Sequence, residues 1–241
     1  MRDLRGKRYW LIGASEGLGA SLARHMAKDG AQLVLSARSP EKLRDLADTL
    51  GAQALPMDVS DAVSVSRAAE TVGEIDGVVY LAGAYWPMRA QAWQVDQSVA
   101  MAEVNFTGAL RVLGHVVPSM AARGHGHVVL TGSLSGFVGL PGAIGYAASK
   151  AAVMSLAETL DLDLRNTGVD VQLVNPGFIR TRLTDKNTFA MRQIMEPADA
   201  AQRMLNHMKT RRFALSYPAP FAWVFRLARF LPHGLYLRLF G

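Results

Sequence analysis

The sequence predicts a doubly wound α/β fold, a parallel sheet of about seven strands with helices on both faces. Three observations carry this. Short Val- and Leu-rich runs alternate with amphipathic helical segments along most of the 241 residues. The runs are nearly continuous in apolar residues, which suits strands covered on both faces. The first run opens directly into a glycine-rich turn and a helix.

Taken in order, Arg8 to Ile12 reads as the first strand and Gly17 to Asp29 as a helix closed by Gly30. Gln32 to Ser36 is the second strand, with Pro40 to Leu50 the helix after it. Ala52 to Met57, Gly77 to Leu81, His127 to Thr131 and Val169 to Val174 are further strands, and Phe213 to Ser216 is the last. The intervening helices are Asp61–Val72, Gln97–Ala122, Ala147–Asn166 and Pro197–Met208. With no internal repeat or linker, residues 1–216 are expected as one domain. Residues 217–241 form a C-terminal appendage.

Composition narrows the function classes. Half of the chain is hydrophobic and 19% is charged, enough apolar material for a sizeable core and too little charge for a disordered or coiled-coil chain. The 22 glycines show no collagen period. Cysteine is absent, which excludes disulfides, thiolate metal sites and Cys nucleophiles, and fits a cytoplasmic location. The net charge of +6 belongs to the tail. Residues 1–199 hold 19 basic and 20 acidic side chains, whereas residues 200–241 hold seven basic and none acidic. With no recognition motif beside that charge, no nucleic-acid partner is expected. No export signal is visible. The long uncharged stretch Gly124 to Ser149, with its His, Ser, Gly and Pro, reads as strand, loop and helix start, not as a span.

Three groups of residues carry chemistry. Gly13-Ala14-Ser15-Glu16-Gly17-Leu18-Gly19 follows the first strand, where glycines let backbone N–H groups approach a pyrophosphate at a helix N-terminus. The plainer reading is a turn of no consequence. Arg38, at the end of the second strand, suits the 2′-phosphate of NADP, where an acid would bind the 2′-hydroxyl of NAD; a solvated surface Arg is its alternative. Asp58 could accept from an adenine amino group, or cap the next helix. The third group is Ser133, Tyr146 and Lys150. Tyr146 and Lys150, four apart, share one helix face, so the ammonium is expected to lower the phenol's pKa toward working pH. Such a Tyr can act as general acid or base, and Ser133 can hold a substrate oxygen. Alone, a Tyr-x-x-x-Lys pair is more often a helix surface.

Together these residues resemble the short-chain dehydrogenase/reductases, from about Arg8 to Phe213. The family's cofactor glycines match Gly13, Gly17 and Gly19, and the end of its Asn-Asn-Ala-Gly motif matches Ala82-Gly83. Asn105 falls where the family has the Asn supporting a proton-relay water. Ser133 precedes Tyr146 by the usual 13 residues, and Asn175-Pro176-Gly177 with Thr181 matches the segment that holds the nicotinamide carboxamide. The resemblance implies a single Rossmann-type domain that transfers hydride reversibly between NADP(H), or NAD(H), and a carbonyl/alcohol pair. It assigns Tyr146 as acid, Ser133 as its partner on the substrate oxygen, Lys150 to the ribose and Asn105 to the relay. Ser15, Leu18, Val59 and Ile179 complete the expected cofactor contacts, and no metal is expected. A non-catalytic nucleotide sensor of the same fold is the alternative, opposed by the intact tetrad.

The sequence departs from the pattern at three places. Ile12 replaces the usual Thr, and Tyr80-Leu81 replaces both asparagines, a loss of structural hydrogen bonds. Glu16 stands where many NADP-preferring members carry Arg and would oppose a 2′-phosphate, so NAD stays open. Phe137, Leu140, Phe178, Leu183, Phe189, Met191 and Met195, with Tyr85-Trp86, suggest an apolar pocket, although Met and Phe more often fill cores. Pairing into dimers or tetramers through Gln97–Ala122 and Ala147–Asn166 is implied, with Ala147, Ala148, Ala151 and Ala152 at the contact. The tail is expected to be helical from Phe221 to Leu231, with Arg226, Arg229 and Ala222 on one face and apolar residues opposite. It could be a lid, a subunit contact or a peripheral membrane contact.

Overall fold

The computed structural model describes residues 1–187, 191 and 193–240. Seven parallel strands form one sheet in the order β3-β2-β1-β4-β5-β6-β7. They are β1 (Arg8–Ile12), β2 (Gln32–Ser36), β3 (Gln53–Ala54), β4 (Gly77–Tyr80), β5 (Gly126–Thr131), β6 (Val169–Pro176) and β7 (Ala214–Tyr217). The order reverses beside β1, whose Ile12 pairs with Ser36 of β2 on one side and Tyr80 of β4 on the other. A ligand crevice is expected at that switch, outside the carboxyl ends of the strands.

Alternation along β1 divides the core. Trp10 and Ile12 enter one apolar cluster, with helices α3 (Ala62–Val72), α5 (Gly108–Arg123) and α6 (Ile144–Asp163). Tyr9 and Leu11 enter the other, with α1 (Gly17–Lys28), α2 (Pro40–Leu50) and α7 (Pro197–Met208). Both sheet faces are therefore covered.

The expected helix Gln97–Ala122 is three pieces. α4 (Val95–Ala102) runs into a π-helical turn, Glu103–Thr107, before α5. The Val104 carbonyl there accepts a 2.6 Å bond from the Tyr80 phenol. Tyr80 thus supplies a hydrogen bond of its own where loss was expected. Gly108 makes room for it, since a Cβ at that position would lie 2.5 Å from the phenol oxygen.

The third strand is shorter than expected, Gln53–Ala54, and Pro56 is tolerated after it because its nitrogen faces the open edge of the sheet. Leu55 and Met57 still donate to Leu35 and Ala37 along β2. α6 begins at Ile144, so Tyr146 lies inside its first turn, not before it.

In the tail, α8 (Phe221–Ala228) ends three residues before expected, and α9 (His233–Phe240) follows it. α8 is docked by an unexpected edge. Ala222, which the wheel groups with the arginines, is buried with Phe225 against Leu134, while Phe137, Val138 and Leu140 pack around them. Small side chains allow this close approach, and Val224 and Leu227 are left outward.

At the amino ends of the strands lies a polar cluster. Buried His127 hydrogen-bonds the Tyr9 phenol (2.8 Å) and Gln172 (2.9 Å), whose amide donates to the His207, Thr210 and Arg212 carbonyls. Burial, and then the nearby Arg2 cation, hold the imidazole's pKa down at about 3.

Candidate active site

A cleft of about 470 Å³ opens at the carboxyl ends of the strands beside the switch point. Gly13, Ser15, Gly17, Leu18 and Gly19 form its floor between β1 and α1. Two of these positions require glycine. Gly13 has φ +91°, and a Cβ on it would lie 2.6 Å from the Ala82 nitrogen; a Cβ on Gly19 would lie 2.1 Å from the Gly13 carbonyl. The turn is a backbone cradle that a side chain would fill.

At one end of the cleft stand Arg38, Ser39 and Val59. Asp58 is not on the wall. Its Oδ1 accepts from both the N–H (2.9 Å) and the hydroxyl (2.6 Å) of Ser60, while Asp61 caps α3. The capping role weighed for Asp58 thus falls to Asp61, and the Asx turn engages Oδ1 alone. Glu16 is beside this end and is not a lone anion. Arg182 lies 2.6 Å from one carboxylate oxygen and Lys42 3.6 Å from the other. With Arg38, the local balance is three cations to one anion.

At the other end, Tyr146 and Lys150 line the cleft together with Thr131 and Gly132. The Lys150 ammonium is 5.8 Å from the centre of the Tyr146 ring and donates to the Thr131 carbonyl at 2.8 Å. Ser133, at the end of β5, hydrogen-bonds the Tyr146 phenol. Ser135 in turn donates its hydroxyl to Ser133 Oγ at 2.9 Å. The edge of Tyr85 packs on Tyr146, with ring centres 4.9 Å apart, and its phenol donates to Asn187 at 2.8 Å.

Asn105 sits in the π-helical turn, fully buried. Its Oδ1 accepts from the Ala84 N–H at 2.7 Å, and its Nδ2 donates to the Ala84 carbonyl (3.0 Å) and to Ser149 Oγ (2.9 Å). The amide is fully occupied by the loop after β4 and by α6. Any contact with a relay water falls to its backbone, which the amide holds in place.

The electrostatics differ from the simple expectation. Burial raises the Tyr146 phenol to about 12, with the Ser133 hydrogen bond pulling the other way. Burial lowers the Lys150 ammonium to about 8. Desolvation therefore outweighs the neighbouring charge in the protein alone.

The remaining wall includes Ala82, Gly83, Pro176, Gly177, Ile179, Thr181 and Leu183. Thr131 Oγ1, on the wall, and Asn175 Oδ1, behind it, are buried polar atoms without a protein hydrogen bond, which suits a bound polar ligand. Several expected pocket residues also pack against neighbouring elements. Phe137 and Leu140 lie under α8, and Met195 joins the core. Phe178 faces Phe221, with ring centres 6.2 Å apart, Met191 accepts from the Asn187 amide at 3.3 Å, and Phe189 lies outside the described residues. Trp86 lies under the Lys186 ammonium, 4.2 Å from the ring centre. Ser135, Ser149 and the partners of Glu16 carry no sequence signal, being ordinary residue types joined only by the fold.

A family model described as short chain dehydrogenase matches residues 7–191. The chain belongs to that family. This short-chain dehydrogenase is an oxidoreductase, and its relatives agree. It is 33% identical to an uncharacterized oxidoreductase of Myxococcus xanthus, across 98% of this chain and 97% of that protein. An uncharacterized oxidoreductase of Staphylococcus aureus is 31% identical, across 87% and 90%. Among solved structures, a short-chain dehydrogenase from Sphingobium yanoikuyae in complex with NADPH superposes with a TM-score of 0.85 at 26% identity, over 95% of this chain and 94% of that one. One from Burkholderia cenocepacia in complex with NADP shares the fold over the full length of both chains, with a TM-score of 0.87 at 24% identity.

Proposed function

We propose that this short-chain dehydrogenase interconverts an apolar carbonyl compound and its alcohol with NADP(H) in preference to NAD(H). The observation that carries the reading is one cleft with two chemically distinct ends. Tyr146, flanked by Ser133 and Lys150, stands at one end, and Arg38 stands at the other, with the glycine cradle between. When bound, the dinucleotide supplies or accepts the hydride. Ser133 holds the substrate oxygen, and Tyr146 delivers its proton to that oxygen in reduction or removes it in oxidation. Lys150, moved from the Thr131 carbonyl or sharing it, binds the ribose hydroxyls, and its charge then favours the phenolate. Asn105 positions the loop after β4 against α6.

NADP(H) is favoured by Arg38 and by the neutralisation of Glu16. The complexes of similar proteins with NADPH and NADP agree with this. An apolar substrate is supported by Leu183 and by the Phe178–Phe221 contact beside the cleft. Copies of the chain pair through α4, α5 and α6, whose Val95, Val99, Leu110 and Leu162 are exposed. Ala148 and Ala151 are free to join that contact, but Ala147 packs internally. Purified protein should enhance NADPH fluorescence and oxidise NADPH with members of a ketone panel. Binding without turnover on any ketone or alcohol would overturn the enzymatic reading, and a monomer mass by light scattering the pairing.

A further inference from the structure

We infer that the outer face of α8 and α9 docks on a bilayer surface containing anionic lipid. Phe225 and Phe240 face each other at 6.4 Å between ring centres, and the Tyr236 phenol donates to the Gly139 carbonyl, so the two helices are anchored by their inner edges. Among the described residues, nothing covers their outer edges. Trp223, Leu227 and Phe230 project from α8 and the turn after it, and Leu235, Leu237 and Leu239 from α9, between 45% and 81% exposed. Large exposed apolar side chains gathered on two neighbouring helices mark an interaction site.

Charge selects the occupant. Arg226, Arg229 and Arg238 are exposed on the same two helices, and no acidic residue follows Asp199. Arg226 also covers the Trp223 ring, with its guanidinium carbon 5.1 Å from the centre. A second copy seated face to face would set these arginines against their own kind, whereas phosphate headgroups complement them. Apolar residues flanked by arginines and a border Trp are the composition of a helix lying in the headgroup region. Among the described residues no helix is long and apolar enough to cross a membrane. The tail is rooted at the cleft: a Cβ on Gly177 would meet both Leu134 and Pro218 at 3.2 Å, and Phe221 faces Phe178. Docking therefore sets the substrate end of the cleft beside the bilayer.

The test is co-sedimentation of the full chain with vesicles of phosphatidylcholine and phosphatidylglycerol in a 3:1 ratio, at low salt, beside pure phosphatidylcholine. The chain should pellet with the anionic vesicles, be released by high salt, and stay in solution with the neutral ones. Leu227→Glu with Phe230→Glu, both at exposed positions, should lower the bound fraction at least tenfold without changing the melting temperature or NADPH binding. Three results overturn the inference: a full chain that stays in solution with anionic vesicles, a double variant that pellets equally, or a double variant whose mass falls by light scattering, which assigns the face to a second copy.

Discussion

Glu16 and Arg182 meet across the mouth of the cofactor cleft, 2.6 Å from oxygen to nitrogen. Glu16 ends the glycine turn and Arg182 follows β6, so the pair ties the two walls together. Lys42 holds the second carboxylate oxygen. A carboxylate so engaged opposes a phosphate far less than a lone one.

Cofactor preference should therefore rest on Arg38. Charge-assisted bonds from its guanidinium to the 2′-phosphate contribute about 1.5–3 kcal/mol, roughly 10- to 100-fold in affinity. Arg38→Asp should reverse the preference toward NADH, while Glu16→Gln should leave NADPH preferred. Titrating both cofactors against each variant checks this, and an unmutated chain with equal affinity for the two would refute it.

Tyr146→Phe should lower turnover by at least about 10²-fold while leaving NADPH affinity within a few-fold, because only the proton donor is removed. Lys150→Ala should impair both. Ordinary activity in the Tyr146→Phe enzyme would end the proposed proton path.

NADPH affinity should weaken as pH rises through about 8, where Lys150 loses its proton. The stability term runs the other way. The unfolded chain keeps that proton to about 10.5, so between those values the unfolded state binds more protons and this group adds stability with rising pH. In Lys150→Met the affinity step near 8 should vanish; isothermal titration across pH 6–10, about two units either side of the step, would read it.

His127 makes the opposite end acid-sensitive. Its imidazole stays neutral down to about 3 in the folded chain but takes a proton below 6.5 when unfolded. Stability should thus fall with acidification between those values, by up to about 1.4 kcal/mol per unit. Denaturant melts of the native chain and of His127→Gln should diverge below pH 6.5, the variant showing the shallower slope.

Gly19→Ala should abolish dinucleotide binding and lower stability by about 1–3 kcal/mol, since its Cβ would collide with the Gly13 carbonyl. A thermal melt and NADPH titration of that variant test both halves.

How far the sequence reveals this protein depends on range. Strands such as Gly77–Tyr80 and helices such as Pro197–Met208 are legible because apolar period and end signals are local. The glycine turn and the Tyr146–Lys150 spacing are local too, and all the expected cofactor contacts except Asp58 stand on the cleft wall. Asp58 lies off the wall, its Oδ1 held by Ser60 in an Asx turn that the sequence does not separate from a ligand contact. The break at Glu103–Thr107 is hidden because a π turn inserts its residue without disturbing composition. The pairing of Glu16 with Arg182 spans much of the chain and exists only through the parallel sheet. In the tail, hydrophobicity alone does not pick the inward edge; close approach by Ala222 beside Phe225 decides it.

The Tyr80 phenol, the Val104 carbonyl and the bare α-carbon of Gly108 form a lock and its keyhole. Anyone regrafting the family's asparagine onto position 80 would strand that carbonyl and open a ring-sized hole. Placing any side chain at position 108 would evict the ring. The two sites can be exchanged only as a unit, so engineering of the neighbouring Asn105 turn has to treat residues 80 and 108 as one inherited part.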